Sequence, residues 1–139
     1  MDNTLGNRRV IAVVPAYNER DNIVSTIEDL HSNAPGVDYV IVNDGSKDDT
    51  LNICREHGYS VIDLPVNLGL AGAFQTGMRY AYENGYDYAV QFDADGQHSA
   101  AYIAEMVHVA EEKGANIVIG SRFRSEEHTS ELQSRITIS

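Results

Sequence analysis

The sequence predicts a doubly wound α/β domain, a mostly parallel sheet with helices on both faces. Three observations predict it. Short β-branched or aromatic runs alternate with segments of helical period along 139 residues, the order expected of βα units. The runs are almost continuously apolar, as strands of a sheet covered on both faces are. Glycines follow the helical segments where C-terminal caps belong.

In chain order, the strands are expected at "RVIAVV" (9–14), "YVIVN" (39–43), "SVIDL" (60–64), "YAVQF" (88–92) and "NIVIG" (116–120). The first helix is marked by Ile23, Ile27 and Leu30, with Asn18 of "NERD" as its expected N-cap and Asp21 three residues on. The second opens at "SKDD", with Ser46 as cap and Asp48 and Asp49 as first-turn acids favoured by the helix dipole, and it takes Cys54 into its core side. The third carries Phe74, Met78, Ala81 and Tyr82, and the fourth carries Ile103, Met106, Val107 and Ala110 after a cap at Ser99. Gly58, Gly85 and Gly114 end helices two, three and four.

Such sheets bind ligands at the carboxyl ends of their strands. The polar segments collect there: "PAYNE" after the first strand, "NDGS" after the second, "PVNLGLAG" after the third and "DADGQH" after the fourth. If the chain stays extended beyond Phe92, residues 93, 95 and 97 project to one side. Two carboxylates and an amide oxygen then converge, a donor set suited to Mg²⁺ or Mn²⁺, whose charge offsets the repulsion of the pair. Taken alone, D-x-D reads equally well as two solvated acids that stop a strand; its place at the ligand-binding edge favours the cation. His98 reads as a surface residue. Asp44 stands where a base or ribose is met in doubly wound domains, or it simply begins an Asp-Gly turn. Gly69 and Gly72 would admit a ligand to a helix start, and Gly77 would serve close packing. No Gly-Lys-Ser/Thr follows, so this is not a P-loop, and "DGSKDDT" lacks the spacing of a calcium loop.

Composition bounds the function. With 42% hydrophobic and 22% charged residues the chain is ordinarily globular, and ten scattered Lys and Arg within a net charge of −11 argue against a nucleic-acid partner. An anionic ligand would need local help from a metal or a helix N-terminus. The single cysteine excludes an internal disulfide and fits a reducing compartment. The longest apolar runs, such as "VIAVVPAY", fall far short of the roughly 20 residues that cross a bilayer, and no signal-peptide segment follows the N-terminus.

Five blocks in order, "VVPAYNE", "VNDGSKDDT", "NLGLAGAFQTGMRYA", "FDADGQH" and "IVIGSRF", resemble family 2 of the glycosyltransferases, of the A-type nucleotide-sugar fold, and most of all its dolichyl- and polyprenyl-phosphate sugar transferases. The resemblance covers residues 9–124. It implies that Pro15, Tyr17 and Glu19 line the nucleotide pocket and that Asp44 reads the base. It also implies that Asp93 and Asp95 are the catalytic D-x-D acids, with Asp95 the more direct metal ligand and Gln97 a third. Arg122 would face the diphosphate or the acceptor phosphate, or else form an ordinary salt bridge. The implied donor is a nucleotide-diphosphate sugar. The implied acceptor is a polyprenyl phosphate or a glycan, with inversion at the sugar carbon and a place in cell envelope biosynthesis.

The expected organisation is an N-terminal extension (1–8), a nucleotide-sugar-binding domain (9–124) and a tail (125–139) whose abrupt change of composition suggests a non-native or disordered segment. Members of the family continue into an acceptor half that is absent from this chain, so donor binding without efficient transfer is expected. The expected location is the cytoplasm, at the cytoplasmic face of the membrane for a full-length protein, with membrane contact only through that missing half. Two rivals remain at this point: a haloacid-dehalogenase-like phosphatase with "FDADGQ" as its nucleophile loop, against which Gln97 in place of Thr argues, and a non-catalytic nucleotide-binding module.

Overall fold

The computed structural model describes residues 7–94, 100–114 and 117–119. Five strands alternate with four helices: β1 (Val10–Ala16), α1 (Ile23–Asn33), β2 (Asp38–Asp44), α2 (Thr50–Glu56), β3 (Val61–Leu64), α3 (Gly69–Glu83), β4 (Tyr88–Gln91), α4 (Ile103–Glu112) and β5 (Ile117–Ile119), with one 3-10 turn at Ala100–Tyr102 before α4. The strands form one parallel sheet in the order β3-β2-β1-β4-β5. The predicted doubly wound α/β class is the observed one, and each predicted strand is present within a few residues of its expected bounds.

Alternation along β1 sorts the core into two layers. Val10, Ala12, Val14 and Ala16 face a cluster with Ile23, Ile27 and Leu30 of α1, Cys54 of α2 and Ile103, Met106 and Val107 of α4. Ile11 and Val13 face the opposite side, where Ala73, Phe74 and Ala81 of α3 cover the sheet. β1 is therefore buried on both faces along its whole length, which is why its sequence shows no polar alternation. Burial pushes the Cys54 thiol up to about 11, so the lone cysteine is a small apolar core residue. Tyr82 departs from the expected stripe: it is 86% exposed, one residue beyond buried Ala81 and so turned about 100° around the helix from it.

Gly77 sits where α3 crosses β1. A Cβ added there would fall 2.2 Å from a Val13 methyl, so the missing side chain sets how closely helix and sheet approach.

Two N-caps expected from local pattern act elsewhere. Asn18, at φ +55°, receives the Lys47 amide on its Oδ1 at 2.8 Å, and its own amide donates to the Ser46 hydroxyl at 2.9 Å. The two side chains thus bind the β1–α1 loop to the β2–α2 loop instead of capping α1 and α2. The helices begin later, after Asn22 and Asp49. Asp48 and Asp49 precede α2 and are not first-turn acids; Asp48 Oδ1 takes the Thr50 amide at 2.9 Å. Burial opposes ionisation of Asp48, but the bonds from Thr50 and Arg20 outweigh it and hold the carboxyl below its usual range. The 3-10 turn before α4 receives its cap from a distant residue, since the Ala100 amide donates to Asp29 of α1 at 2.9 Å. The expected cap Ser99 lies outside the described residues. Gly58, Gly85 and Gly114 do close their helices, at φ +71°, +77° and +71°.

One feature of β1 shapes the edge of the sheet. β1 pairs with β2 as far as Ala16 but with β4 only as far as Val13 opposite Gln91. The last rung is the Phe92 amide donating to the Val13 carbonyl at 2.9 Å. Amide and carbonyl of one residue face the same neighbouring strand, and the side alternates, so Pro15 also turns its nitrogen toward β4. That nitrogen carries no hydrogen, and the ladder stops.

Two outcomes follow from this packing. Gly77→Ala should lower unfolding stability by about 1–3 kcal/mol in urea titration, the range for an overfilled core; an unchanged midpoint would show that α3 yields without cost. Pro15→Ala should create an amide that pairs with the Phe92 carbonyl and is protected in hydrogen exchange, whereas rapid exchange there would mean that the strands part for another reason.

Candidate functional site

Where β1 and β4 part, at the carboxyl edge of the sheet, a cleft of about 420 Å³ opens. This is the point at which the order of strands reverses, with β2 and β3 on one side of β1 and β4 and β5 on the other, the usual ligand position in open α/β sheets. Of the residues singled out in the sequence, Pro15, Tyr17, Glu19, Asp44, Gly69 and Asp93 all line it, carried by four separate segments. Asp95, Gln97, His98 and Arg122 lie outside the described residues.

Each segment has a local reason to be there. Glu19 is held at three points: its amide donates to the Thr50 hydroxyl at 2.9 Å, its carbonyl accepts the first amides of α1, and its Oε1 receives the Asn22 side-chain amide at 3.2 Å. Tyr17 precedes it on the turn that Asn18 makes and is 42% exposed, so its ring is a wall of the cleft rather than part of the core.

Asp44 is 4% exposed, and both its oxygens are engaged: Leu68 donates to Oδ1 at 2.6 Å and Gly69 to Oδ2 at 3.0 Å. These are the N-cap and first residue of α3, whose amides have no partner within the helix. Asn67 adds a bond from its side chain to the Asp44 carbonyl at 3.0 Å. Next to it, Gly45 at φ +71° comes so close to the β3–α3 loop that a Cβ would lie 2.7 Å from the Asn67 nitrogen. Gly45 thus makes the bend that follows Asp44, and that acid anchors the loop and helix start that form the opposite wall.

Gly69 lines the cleft at φ +86° with open space beside it. Gly72 does not: a Cβ there would meet the Leu68 side chain at 2.7 Å, so its role is local packing at the first turn. On the remaining wall, Asp93 is half-buried and receives the side-chain amide of Gln91 on Oδ1 at 3.0 Å.

The sequence reading missed Ala16, Asn67, Leu70 and Ala94, which also line the cleft. Asn67 had a signal, an Asn just ahead of a glycine-led helix. The other three are apolar and carry none.

The electrostatics are one-sided. Glu19, Asp44 and Asp93 contribute three carboxylates, and no basic side chain is among the described lining residues. The donors are hard oxygens, which fit Mg²⁺ or Mn²⁺ and not a soft thiolate-bound metal. Among the described residues no group of three or more His, Cys, Asp or Glu side chains is arranged to hold a metal unaided. A cation at Asp93 would complete its shell from Asp95, Gln97, water or a ligand's own oxygens.

Comparison with known proteins agrees with this fold. The model of glycosyl transferase family 2 matches residues 11–138. The UDP-N-acetylglucosamine–dolichyl-phosphate N-acetylglucosaminyltransferase of Methanococcus voltae is 33% identical over 138 residues, covering 87% of this chain and 55% of its own length. The undecaprenyl-phosphate mannosyltransferase of Micrococcus luteus is 32% identical over 119 residues, covering 82% of this chain and 48% of its own. Among solved structures, glucosyl-3-phosphoglycerate synthase from Mycobacterium tuberculosis, in complex with Mn²⁺ and UDP-glucose, superposes with a TM-score of 0.58 at 26% identity, over 73% of this chain and 39% of that one. The chain thus spans about half the length of the curated relatives it matches. No helix among the described residues is long and apolar enough to cross a membrane. With the family model spanning most of its length and relatives above 30% identity, the chain belongs to glycosyl transferase family 2.

Proposed function

We propose that this chain is the donor-binding part of a glycosyltransferase that takes a sugar from a nucleoside diphosphate and passes it, with inversion, to a polyprenyl phosphate or a glycan. The observation that carries the reading is the composition of the cleft. A pyrophosphate carries negative charge, and a site lined by three carboxylates repels it unless a cation stands between them. The D-x-D acids Asp93 and Asp95, with Gln97, would hold Mg²⁺ or Mn²⁺. That ion supplies Lewis-acid stabilisation of the charge that develops on the departing diphosphate.

The chain's own residues do the rest. Pro15 keeps β4 from pairing further and so leaves room for the nucleotide. Tyr17 offers an aromatic wall to the base or ribose, and Glu19 offers a fixed acceptor for a hydroxyl. Asp44 stabilises the turn at Gly69, which places the positive end of α3 at the edge of the cleft. Its oxygens keep further lone pairs for an N–H of the base, so the structural and base-reading roles are compatible. Arg122 is assigned to the diphosphate or the acceptor phosphate. We assign the donor domain to residues 9–124, with 125–139 as a tail, although the family model runs on to residue 138.

The dolichyl- and undecaprenyl-phosphate enzymes among the relatives support a lipid phosphate as the acceptor. A phosphate monoester of this kind has a second pKa of about 6 and is already largely ionised at pH 7. A strong general base is then dispensable, and orientation of the acceptor becomes the main task. The family match leaves the phosphatase reading without support.

Calorimetric titration with UDP and GDP, with and without Mn²⁺, tests the proposal. Binding should require the metal and should be lost in Asp95→Ala; metal-independent binding that survives the substitution would favour a non-catalytic module instead. Tested alone with a polyprenyl-phosphate acceptor, the 139-residue chain should bind donor yet release nucleoside diphosphate no faster than without acceptor. Acceptor-dependent release would show that the acceptor is oriented by residues already present.

A further inference from the structure

Gln91 is the last residue of β4 and is 5% exposed. Its surroundings on that side of the sheet are apolar: it pairs with Val13 of β1 and follows Ala89 by two residues on the face that α3 covers. A primary amide placed there is unfavourable unless its hydrogen-bonding groups find partners, and Leu or Met would fill the same volume without that requirement. One partner is visible: Nε2 donates to Asp93 Oδ1 at 3.0 Å. The opposite orientation of the amide would set its oxygen against the carboxylate, so the donor assignment is the one chemistry allows.

We infer that Gln91 is a positioning residue, holding the Asp93 carboxylate in one orientation at the cleft edge before a divalent cation arrives. The inference rests on the cation reading of Asp93 given above. Asp93 follows two residues after the strand ends at Gln91, and the amide at 91 already reaches its carboxylate at 3.0 Å, so the contact needs no rearrangement of the backbone. A neutral amide suits the task better than Lys or Arg would. It restricts the rotation of the carboxylate while adding no positive charge to compete with the metal, and it leaves the pull of the negative cleft on a cation undiminished. The pair links the β1–β4 ladder to the site, since the same strand end that makes the last rung carries the side chain that orients the acid.

Electron paramagnetic resonance titration of the intact chain with Mn²⁺ alone tests this, with Gln91→Met, Gln91→Asn and Asp93→Asn beside the parent. Gln91→Met removes the donor at nearly constant volume, and Gln91→Asn keeps the amide but shortens its reach. Both should bind Mn²⁺ about tenfold more weakly, the lower end of the range for residues that orient a metal ligand, without a matching fall in the metal-free thermal midpoint. Parent-like Mn²⁺ affinity in both, with binding lost in Asp93→Asn, would overturn the inference and leave the cation reading standing. Parent-like affinity in Asp93→Asn would overturn both. Should either Gln91 variant fail to fold, the unsubstituted chain still decides: the Gln91 side-chain amide resonance should shift with added Mg²⁺ along the same isotherm as the Asp93 backbone amide, and an amide indifferent to saturating Mg²⁺ would overturn the inference.

Discussion

The site depends on one hydrogen bond that cannot form. Parallel strands hold together through an unbroken series of amide-to-carbonyl rungs, and β1 is the central strand of this sheet, with β4 beside it. Their ladder ends with the Phe92 amide on the Val13 carbonyl, because the next donor on β1 would be the nitrogen of Pro15. On its other side β1 continues to pair with β2 through Ala16. One strand is thus released from one neighbour while held by the other, and the gap between them is the cleft.

Keeping that gap in shape falls to bonds between loops that are distant in sequence. Between the first two loops, Asn18 Oδ1 accepts the Lys47 amide and the Asn18 amide donates to the Ser46 hydroxyl. Asp44 holds the start of α3, and Gly45 lets the β3–α3 loop press against the end of β2. The side chains of Asn18, Ser46 and Asp44 satisfy backbone amides that strand ends and helix starts leave without partners. The result is a rigid rim around a negatively charged opening. In a chain with a net charge of −11 such an opening favours cations over bare anions.

Much of this was legible in the residues. Continuous apolar runs announced buried parallel strands, and the glycines at 58, 85 and 114 closed helices as expected, since only a residue without a side chain takes those dihedrals cheaply. Six of the nominated residues, Pro15, Tyr17, Glu19, Asp44, Gly69 and Asp93, meet around one cleft because parallel topology sends every strand's carboxyl end to the same edge. The caps were misread for a related reason. Asn18 and Ser46 have the chemistry of N-caps, and a side chain that can bond to the nearest amide can equally bond to one some thirty residues away once folding brings it closer.

What the amino-acid sequence determined by itself was therefore the set of elements, their parallel order of alternation, and the edge at which polar chemistry gathers, all of which follow from local periodicity and backbone preference. Tertiary structure alone decided which polar groups partner each other: that Asp44 spends both oxygens on α3, that Asp29 caps the turn before α4, and that Gln91 reaches Asp93 from within an apolar layer. Hydrogen-bond donors and acceptors are interchangeable in type, so only distance in the folded chain selects among them.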